Sequence, residues 1–398
     1  MKKILLITNI YPMPDKNYDG TPVCHFFTRE WLKMGYDVRV VHFESLFPSL
    51  YYWASKGFKN LIQAKTGCVA YMNTPRVVQK YQIDDVPVLF VPMLKYIPHT
   101  MFSKAVTDKA INIVCDDLKA HAFVPDVIVG HFVLPQLKML YLLKQKFPNA
   151  VTGMVLHSEG STIPKLYSDY QKLMTAVDVW GFRSEAFKLA FEAKYGKKEK
   201  EFICYSGIPA KYLTPIEHDF SQGIRKFSFV GSLYKLKRVD DTLQALKKVF
   251  VDKHFSFDIV GSGAEFDNLK ALSSLLGISD CVKFHGQKTR DDAQKIMRGT
   301  DCFIMVSAHE AFGLVYVEAM AKGCITIATK GQGIDGVIID GENGFLCEAE
   351  NPDALADVIT YINSLPVERL RQISLNAIKT AENLTNEKVA EHYIDSLI

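Results

Sequence analysis

The chain has 398 residues, 48% of them hydrophobic and 23% charged, with a formal net charge of +3. These values exclude a disordered tail or a collagen-like fibre, and at roughly 150 residues per domain they predict two or three domains. No run of 18 apolar residues is free of charge, which excludes a simple apolar membrane span.

Residues 1–7 carry a short apolar run that stops at Asn9, too short for a signal-peptide core. It reads as a first strand, 4–8, and the expected location is the cytoplasm. A loop with Pro12, Pro14 and Gly20 follows, then helical periodicity over 23–34 that stops at Gly35. Further strands are predicted at 38–42, 88–91, 127–130 and 152–156, with a helix over 103–120. Apolar strands alternating with helices imply a parallel sheet covered on both faces.

Between 206 and 224, Pro, Gly and polar residues interrupt the pattern. It restarts with strands at 227–230, 257–260, 282–284, 302–305 and 326–328. Helices at 240–250, 265–276, 291–297 and 316–321 stand between them. The expectation is two doubly wound α/β domains, 1–208 and 209–380, with a terminal helix, 381–398, packing back on the first. The last helical stretches, 354–365 and 368–398, carry little chemistry.

Charge is uneven. Residues 1–205 sum to +8 and the remainder to −5. Between Glu44 and Asp84 stand Lys56, Lys59, Lys65, Arg76 and Lys80 and no acid, interleaved with Phe47, Tyr51, Tyr52, Trp53 and Phe58. Rings beside lysines over 46–65 suit an anionic membrane surface; the alternative is a helix with one solvated face. No nucleic-acid-binding motif accompanies the patch, so nucleic acid is not an expected partner. Eight scattered cysteines without a C-x-x-C pair read as buried thiols, and no Cys/His cluster has zinc spacing.

The strongest chemical signal follows the 302–305 strand. Glu310 and Glu318 stand eight positions apart, on either side of Phe312-Gly313, where a helix opens. Unsatisfied amides at a helix start suit a diphosphate, and the two carboxylates suit sugar hydroxyls. Either glutamate alone would read as a solvated surface group.

This segment resembles the E-x7-E signature of retaining GT-B glycosyltransferases of glycosyltransferase family 4. Gly323 to Ala328 is similar to the G-x-P-V-I-A of that family, with Ile325 at the proline position. Gly231, Ser232 and Leu233 through Lys237 resemble its V-G-R-L-x-x-x-K-G element, with Lys237 at the lysine, Ser232 at the arginine and Arg238 at the last glycine. Gly261-Ser-Gly263 resembles the donor-domain G-x-G, and 282–286 the V-x-F-x-G. Residues 205–209 loosely resemble P-N-G-I-D. Gly20-Thr21 stands where a Gly-Gly loop is often found, and 157–160 looks like H-G-x-D.

The resemblance implies a GT-B fold: two Rossmann-like domains facing a central cleft, the first holding the acceptor and the second the nucleotide-diphosphate sugar, UDP- or GDP-linked. It implies that Glu318 binds the ribose and Glu310 the hydroxyls of the transferred sugar. Phe312, Gly313 and Leu314 would present amides, and Lys237 would neutralise the leaving diphosphate. His157 would sit by the reacting sugar, and Gly20 and Thr21 would form an acceptor or phosphate loop. No cofactor or metal is implied, and the chain has no D-x-D. Ser232 is the main departure. Paired cations contribute strongly to leaving-group stabilisation, so one must come from elsewhere; Lys235 is favoured over Arg238.

Gly331-Gln-Gly333-Ile-Asp-Gly336 fits G-x-G-x-x-G, the mark of an NAD dehydrogenase, but that fingerprint needs a long helix next, whereas 337–344 reads as strand and turn. The family reading makes this its G-G-x-x-E loop, with Asp335 and Gly336 near the acid position. A glycosidase would need its carboxyl groups ~5 Å or ~6.5–9.5 Å apart; eight helical positions span about 12 Å. A non-catalytic sugar-nucleotide binder and a nucleotide-sugar epimerase remain as alternatives. The opening 8–12 segment, with Asn17 and Gly20, resembles bacterial enzymes of capsule, exopolysaccharide or teichuronic acid assembly. That implies a glycan or lipid-linked acceptor and a peripheral position on the inner face of the membrane.

Overall fold

A computed structural model describes residues 1–14, 22–48, 75–96 and 101–398. The polypeptide divides into two compact units. One comprises Met1–Arg183, Phe187–Cys204 and Ala390–Ile398; the other comprises Ser184–Ala186 and Tyr205–Val389.

The first unit runs β1 (Lys3–Thr8), α1 (Val23–Lys33), β2 (Asp37–Leu46), β3 (Gln79–Ile83), β4 (Val86–Leu94), α2 (Lys104–Ala120), β5 (Val127–His131), α3 (Gln136–Lys146) and β6 (Val151–Leu156). Two short helices follow, α4 (Ile163–Leu166) and α5 (Tyr170–Met174), then β7 (Val179–Phe182), α6 (Glu185–Tyr195) and β8 (Glu201–Ile203). Its sheet has the order β3-β4-β2-β1-β5-β6-β7-β8. β1 lies parallel between β2 and β5, and β5 is buried at all five positions. Such strands read as continuous apolar runs because both faces are covered.

One feature departs from the expected all-parallel sheet. β3 pairs antiparallel with β4 through a hairpin, Ile83 opposite Val86. Its sequence, Gln79-Lys-Tyr-Gln-Ile83, is polar and mostly exposed, as an edge strand on one solvated face should be, and it lacks the apolar run that marked the others. The short β7 and β8 also escaped the sequence pattern.

The second unit runs β9 (Lys226–Val230), α7 (Val239–Val249), β10 (Ser256–Val260), α8 (Phe266–Leu275), β11 (Val282–Gly286), α9 (Arg290–Arg298), β12 (Cys302–Met305), α10 (Leu314–Met320), β13 (Ile325–Thr329) and β14 (Phe345–Cys347). It closes with α11 (Pro352–Ser364) and α12 (Val367–Glu382); α13 (Asn386–Asp395) begins in this unit and passes at Ala390 into the stretch that belongs to the first. All its strand pairs are parallel, in the order β11-β10-β9-β12-β13-β14. The expected single helix over 368–398 is two helices. The break at 383–385 lets Thr385 bridge to Ile208, while Asn386 N–H donates to the Ile208 carbonyl at 2.9 Å. The expected strand at 337–339 is a turn: no strand covers it, and the next one is β14.

The described cysteines are free thiols. Cys24, Cys204, Cys302, Cys324 and Cys347 are buried, whereas Cys115 and Cys281 are half-buried.

The loops at the carboxyl ends of β9 and β10 are bound to each other. Gly231 N–H donates to the Val260 carbonyl at 3.0 Å and Leu233 N–H to the Ser262 carbonyl at 2.9 Å. Gly261 sits at φ 143°, and a Cβ there would lie 1.8 Å from the Gly231 oxygen. Gly261→Ala must displace one loop, and we expect a loss of more than about 3 kcal/mol of stability by denaturant unfolding. Gly299→Ala, whose Cβ would meet only the Ile296 oxygen at 3.4 Å, should stay within about 1 kcal/mol of the parent.

Candidate active site

In the second unit the chemistry gathers where β9, β12 and β13 run out. Ala308 N–H donates to the Leu236 carbonyl at 2.8 Å, tying the segment after β12 to the short helical turn Lys235–Lys237. That tie sets Lys237 beside Glu310, with Nζ 2.5 Å from Oε2. The side chains are 22% and 16% exposed, shielded yet reachable. Three further bonds hold Glu310. Its Oε1 accepts from Ala311 N–H at 3.1 Å, its own N–H donates to Gln332 Oε1 at 3.0 Å, and its carbonyl accepts from Gly333 N–H at 2.9 Å. The Gly331–Gly336 turn therefore fixes the Glu310 backbone. Asp335 caps it, accepting from Gly331 N–H at 2.6 Å, and no helix follows it before α11. The helix required by a dinucleotide fingerprint is missing there.

Gly313 precedes α10 in a left-handed conformation, φ 79°, and a Cβ would lie 2.4 Å from the Tyr316 ring. Tyr316 is fully buried and donates to the Met305 carbonyl at 2.6 Å, so the ring cannot move aside without losing that bond. Phe312 is buried, and its ring lies 5.9 Å from that of Tyr205. Leu314 opens α10, which is only seven residues long, so any anion affinity rests on local amides more than on a macrodipole.

Glu318 is 5% exposed. The Arg290 guanidinium reaches its Oε1 through two nitrogens, Nε at 3.0 Å, and Gln294 donates to its Oε2. Arg290 and Gln294 are one turn apart on α9, so one helix face serves one carboxylate. Lys322, one turn beyond Glu318 and 1% exposed, donates to the Tyr212 carbonyl, and burial lowers its pKa. Arg290 also lies over the Tyr212 ring, 5.2 Å from its centroid. The sequence reading missed Arg290, Gln294, Lys322 and Tyr212. The signal present was i, i+4 spacing, 290/294 and 318/322, which many surface helices share.

Ser232 is exposed. Lys235, the favoured substitute cation, is 64% exposed and paired with Asp240 at 2.7 Å. Arg238 holds Asp241 through two bonds of 2.8 Å. Neither is bonded to Glu310 or Glu318; the cation that does hold a site carboxylate, besides Lys237, is Arg290. Gly263 N–H lies in the turn after β10 that opens α8, where its carbonyl accepts from Phe266 N–H at 3.2 Å.

In the first unit His157 follows β6. Its ring stacks on Phe132, with centroids 3.8 Å apart and planes at 20°, and its Nε2 lies 3.0 Å from Nδ1 of His131. Phe132 sits at φ 69°, a conformation that costs a bulky residue energy and tends to persist at functional positions. Burial first, then the Arg183 guanidinium, lowers His131 to about 3 and holds His157 well below an ordinary imidazole. Both rings are neutral near pH 7.

Gly20, Thr21 and residues 49–65 lie outside the described residues. The rest of the basic segment differs from a free patch. Leu46 and Phe47 are buried, Arg76 donates to the Phe47 carbonyl at 3.2 Å, and Lys80 pairs with Asp117 at 2.6 Å. No described helix is long and apolar enough to cross a membrane.

Residues 215–380 match the family model described as Glycosyl transferases group 1. An N-acetyl-alpha-D-glucosaminyl L-malate synthase from Bacillus anthracis is 28% identical over 284 residues, 67% of this chain and 73% of that protein. Among solved structures, a glycosyltransferase from Rickettsia africae superposes with a TM-score of 0.70 at 16% identity, covering 99% of this chain and 97% of that one. Anabaena HepE in complex with UDP gives 0.67 at 18% identity, over 100% and 99%. The matched domain is that of a glycosyltransferase, carried on the GT-B fold. The second-unit site residues from Ser232 to Gly336 lie inside the matched stretch, whereas Tyr205 and Tyr212 precede it.

The two neutral-held histidines give a stability prediction. Their folded pKa values lie below the unfolded value near 6.5. The unfolded chain therefore takes up protons first as pH falls, and stability present above about 6.5 is lost as pH drops below it, for His131 down to about 3. Each such ring should cost about 1.4 kcal/mol per pH unit in that window. Denaturant unfolding at pH 7.5 and 5.5 should show a smaller loss for His131→Gln, which cannot titrate, than for the parent.

Proposed function

We propose that the protein is a retaining, metal-independent glycosyltransferase of the family 4 type. It moves a sugar from a nucleotide-diphosphate donor, UDP- or GDP-linked, to a glycan or lipid-linked acceptor of a cell-surface polysaccharide. The single observation that carries this reading is the Lys237–Glu310 pair fixed between the loops after β9 and β12. A cation held there can offset charge on a departing diphosphate, and Glu310, neutralised by it, accepts hydrogen bonds from sugar hydroxyls. Glu318 takes the ribose hydroxyls, and Arg290 yields part of its hold and remains as the second cation that Ser232 does not supply. The second unit holds the donor and the first the acceptor. The Anabaena relative solved with UDP supports a uridine nucleotide, and the Bacillus relative named as a malate synthase supports a small-molecule acceptor as the other reading.

A glycosidase is disfavoured by how the glutamates are engaged. One is fixed on Lys237 and the other is buried under Arg290 and Gln294, which leaves no free pair of carboxyl groups. In a thermal-shift screen, a nucleotide diphosphate should raise the melting temperature, NAD should not, and Glu318→Ala should abolish the rise. Lys237→Ala should retain nucleotide binding but lower kcat by about 10²–10³-fold. A rise with NAD alone would overturn the transferase reading.

The membrane-side acceptor rests on the 46–65 segment and its lysines. The protein should float with anionic but not zwitterionic liposomes, and the Lys56/Lys59/Lys65→Glu variant should lose that flotation. Absence of flotation by the parent would favour a soluble acceptor.

A further inference from the structure

His157 does not stand alone. Its Nε2 faces Nδ1 of His131 at 3.0 Å, and Nε2 of His131 faces the phenol oxygen of Tyr393 at 3.0 Å. His131 and Tyr393 are both 0% exposed. Tyr393 stands on α13, in the stretch Ala390–Ile398 that belongs to the first unit. The helix is anchored there by the Trp31 indole, which donates to the Ala390 carbonyl at 2.8 Å. Around the phenol lie the rings of Phe27, Trp31 and Phe202, with centroids 5.0–5.1 Å from its own. None of them offers a lone pair in the ring plane.

This arrangement has only one self-consistent direction. A buried hydroxyl proton without an acceptor costs about 1–3 kcal/mol. Among the described residues the only hydrogen-bond partner of the Tyr393 phenol is Nε2 of His131, so the phenol donates there. Nε2 of His131 is then unprotonated, and a neutral imidazole must carry its proton on Nδ1. That proton is donated to Nε2 of His157, whose own proton must therefore sit on Nδ1. Stacking on Phe132 holds the plane of the ring. The reverse direction, His157 Nε2–H to His131 Nδ1 and His131 Nε2–H to the phenol oxygen, would leave the buried phenol proton with no acceptor among the described residues.

We infer that Tyr393 and His131 are positioning residues that lock His157 as the neutral Nδ1–H tautomer, presenting a hydrogen-bond donor to a sugar oxygen and not a general base. The inference rests on the transferase reading only for the identity of that oxygen. A lone imidazole in water prefers the Nε2–H form, so the locked form is a measurable signature. It places a catalytic requirement on the C-terminal helix, outside the residues 215–380 matched to the family.

Nitrogen NMR of the protein labelled at histidine tests this at pH 7.5, with the His157 signals identified by their loss in His157→Gln. In the parent, His157 should show a protonated Nδ1 and a bare Nε2, and His131 the same. Tyr393→Phe keeps the ring and its packing but removes the donor. It should shift both histidines toward the Nε2–H form and lower kcat about tenfold, the worth of one net hydrogen bond, with KM for the donor nearly unchanged. A parent His157 protonated on Nε2 overturns the inference, and so do His157 shifts unaffected by Tyr393→Phe. The NMR readout needs no turnover. If the parent transfers no sugar at all, that failure belongs to the proposed function, and the nitrogen shifts still decide the lock.

Discussion

A parallel strand buried on both faces can carry no chemistry along its length. Its side chains are packed and its amides are committed to the ladder, so reactive groups can stand only where the strand ends. Both sheets of this protein obey that constraint. His131 and His157 occur at the carboxyl ends of β5 and β6. Lys237, Glu310 and the turn that fixes Glu310 follow β9, β12 and β13.

Because the loops carry the chemistry, their rigidity must come from cross-ties. In the second unit these are mostly backbone bonds: Gly231 to Val260, Leu233 to Ser262, Ala308 to Leu236 and Gly333 to Glu310. They leave two carboxylates with different surroundings. Glu310 is accessible and neutralised by one lysine, whereas Glu318 is buried and neutralised by a guanidinium with help from an amide. A carboxylate so buried needs partners to stay charged at all. Arg290 therefore compensates the charge of the buried Glu318 carboxylate. In the first unit the tie is a side-chain relay, and it gives a neutral ring a defined direction.

Much of this architecture was legible in the chain. The buried strands announced themselves as apolar runs, and the interruption near 206–224 lay close to the passage between the units at Cys204–Tyr205. What escaped was short or amphipathic: the polar edge strand β3, the three- and four-residue strands β8 and β7, and the break between α12 and α13. At the site, the sequence singled out Glu310, Glu318, Lys237 and His157 through spacing and resemblance. For Lys235, sequence nearness to Ser232 does not say which acid the lysine meets; Asp240, five residues away, pairs with it.

Local chain chemistry sets the strand and helix alternation, the glycines that permit close loop approach, and the presence of two carboxylates around a Phe-Gly helix start. These follow from local sterics and from the burial of apolar side chains, both of which act over a few residues. Which charges meet is set by the folded chain. Glu310 finds Lys237 from 73 positions away, Glu318 finds Arg290 from 28, and Tyr393 finds His131 from 262. Pairings of that range depend on where the sheet order places the strand ends, and no local pattern encodes it.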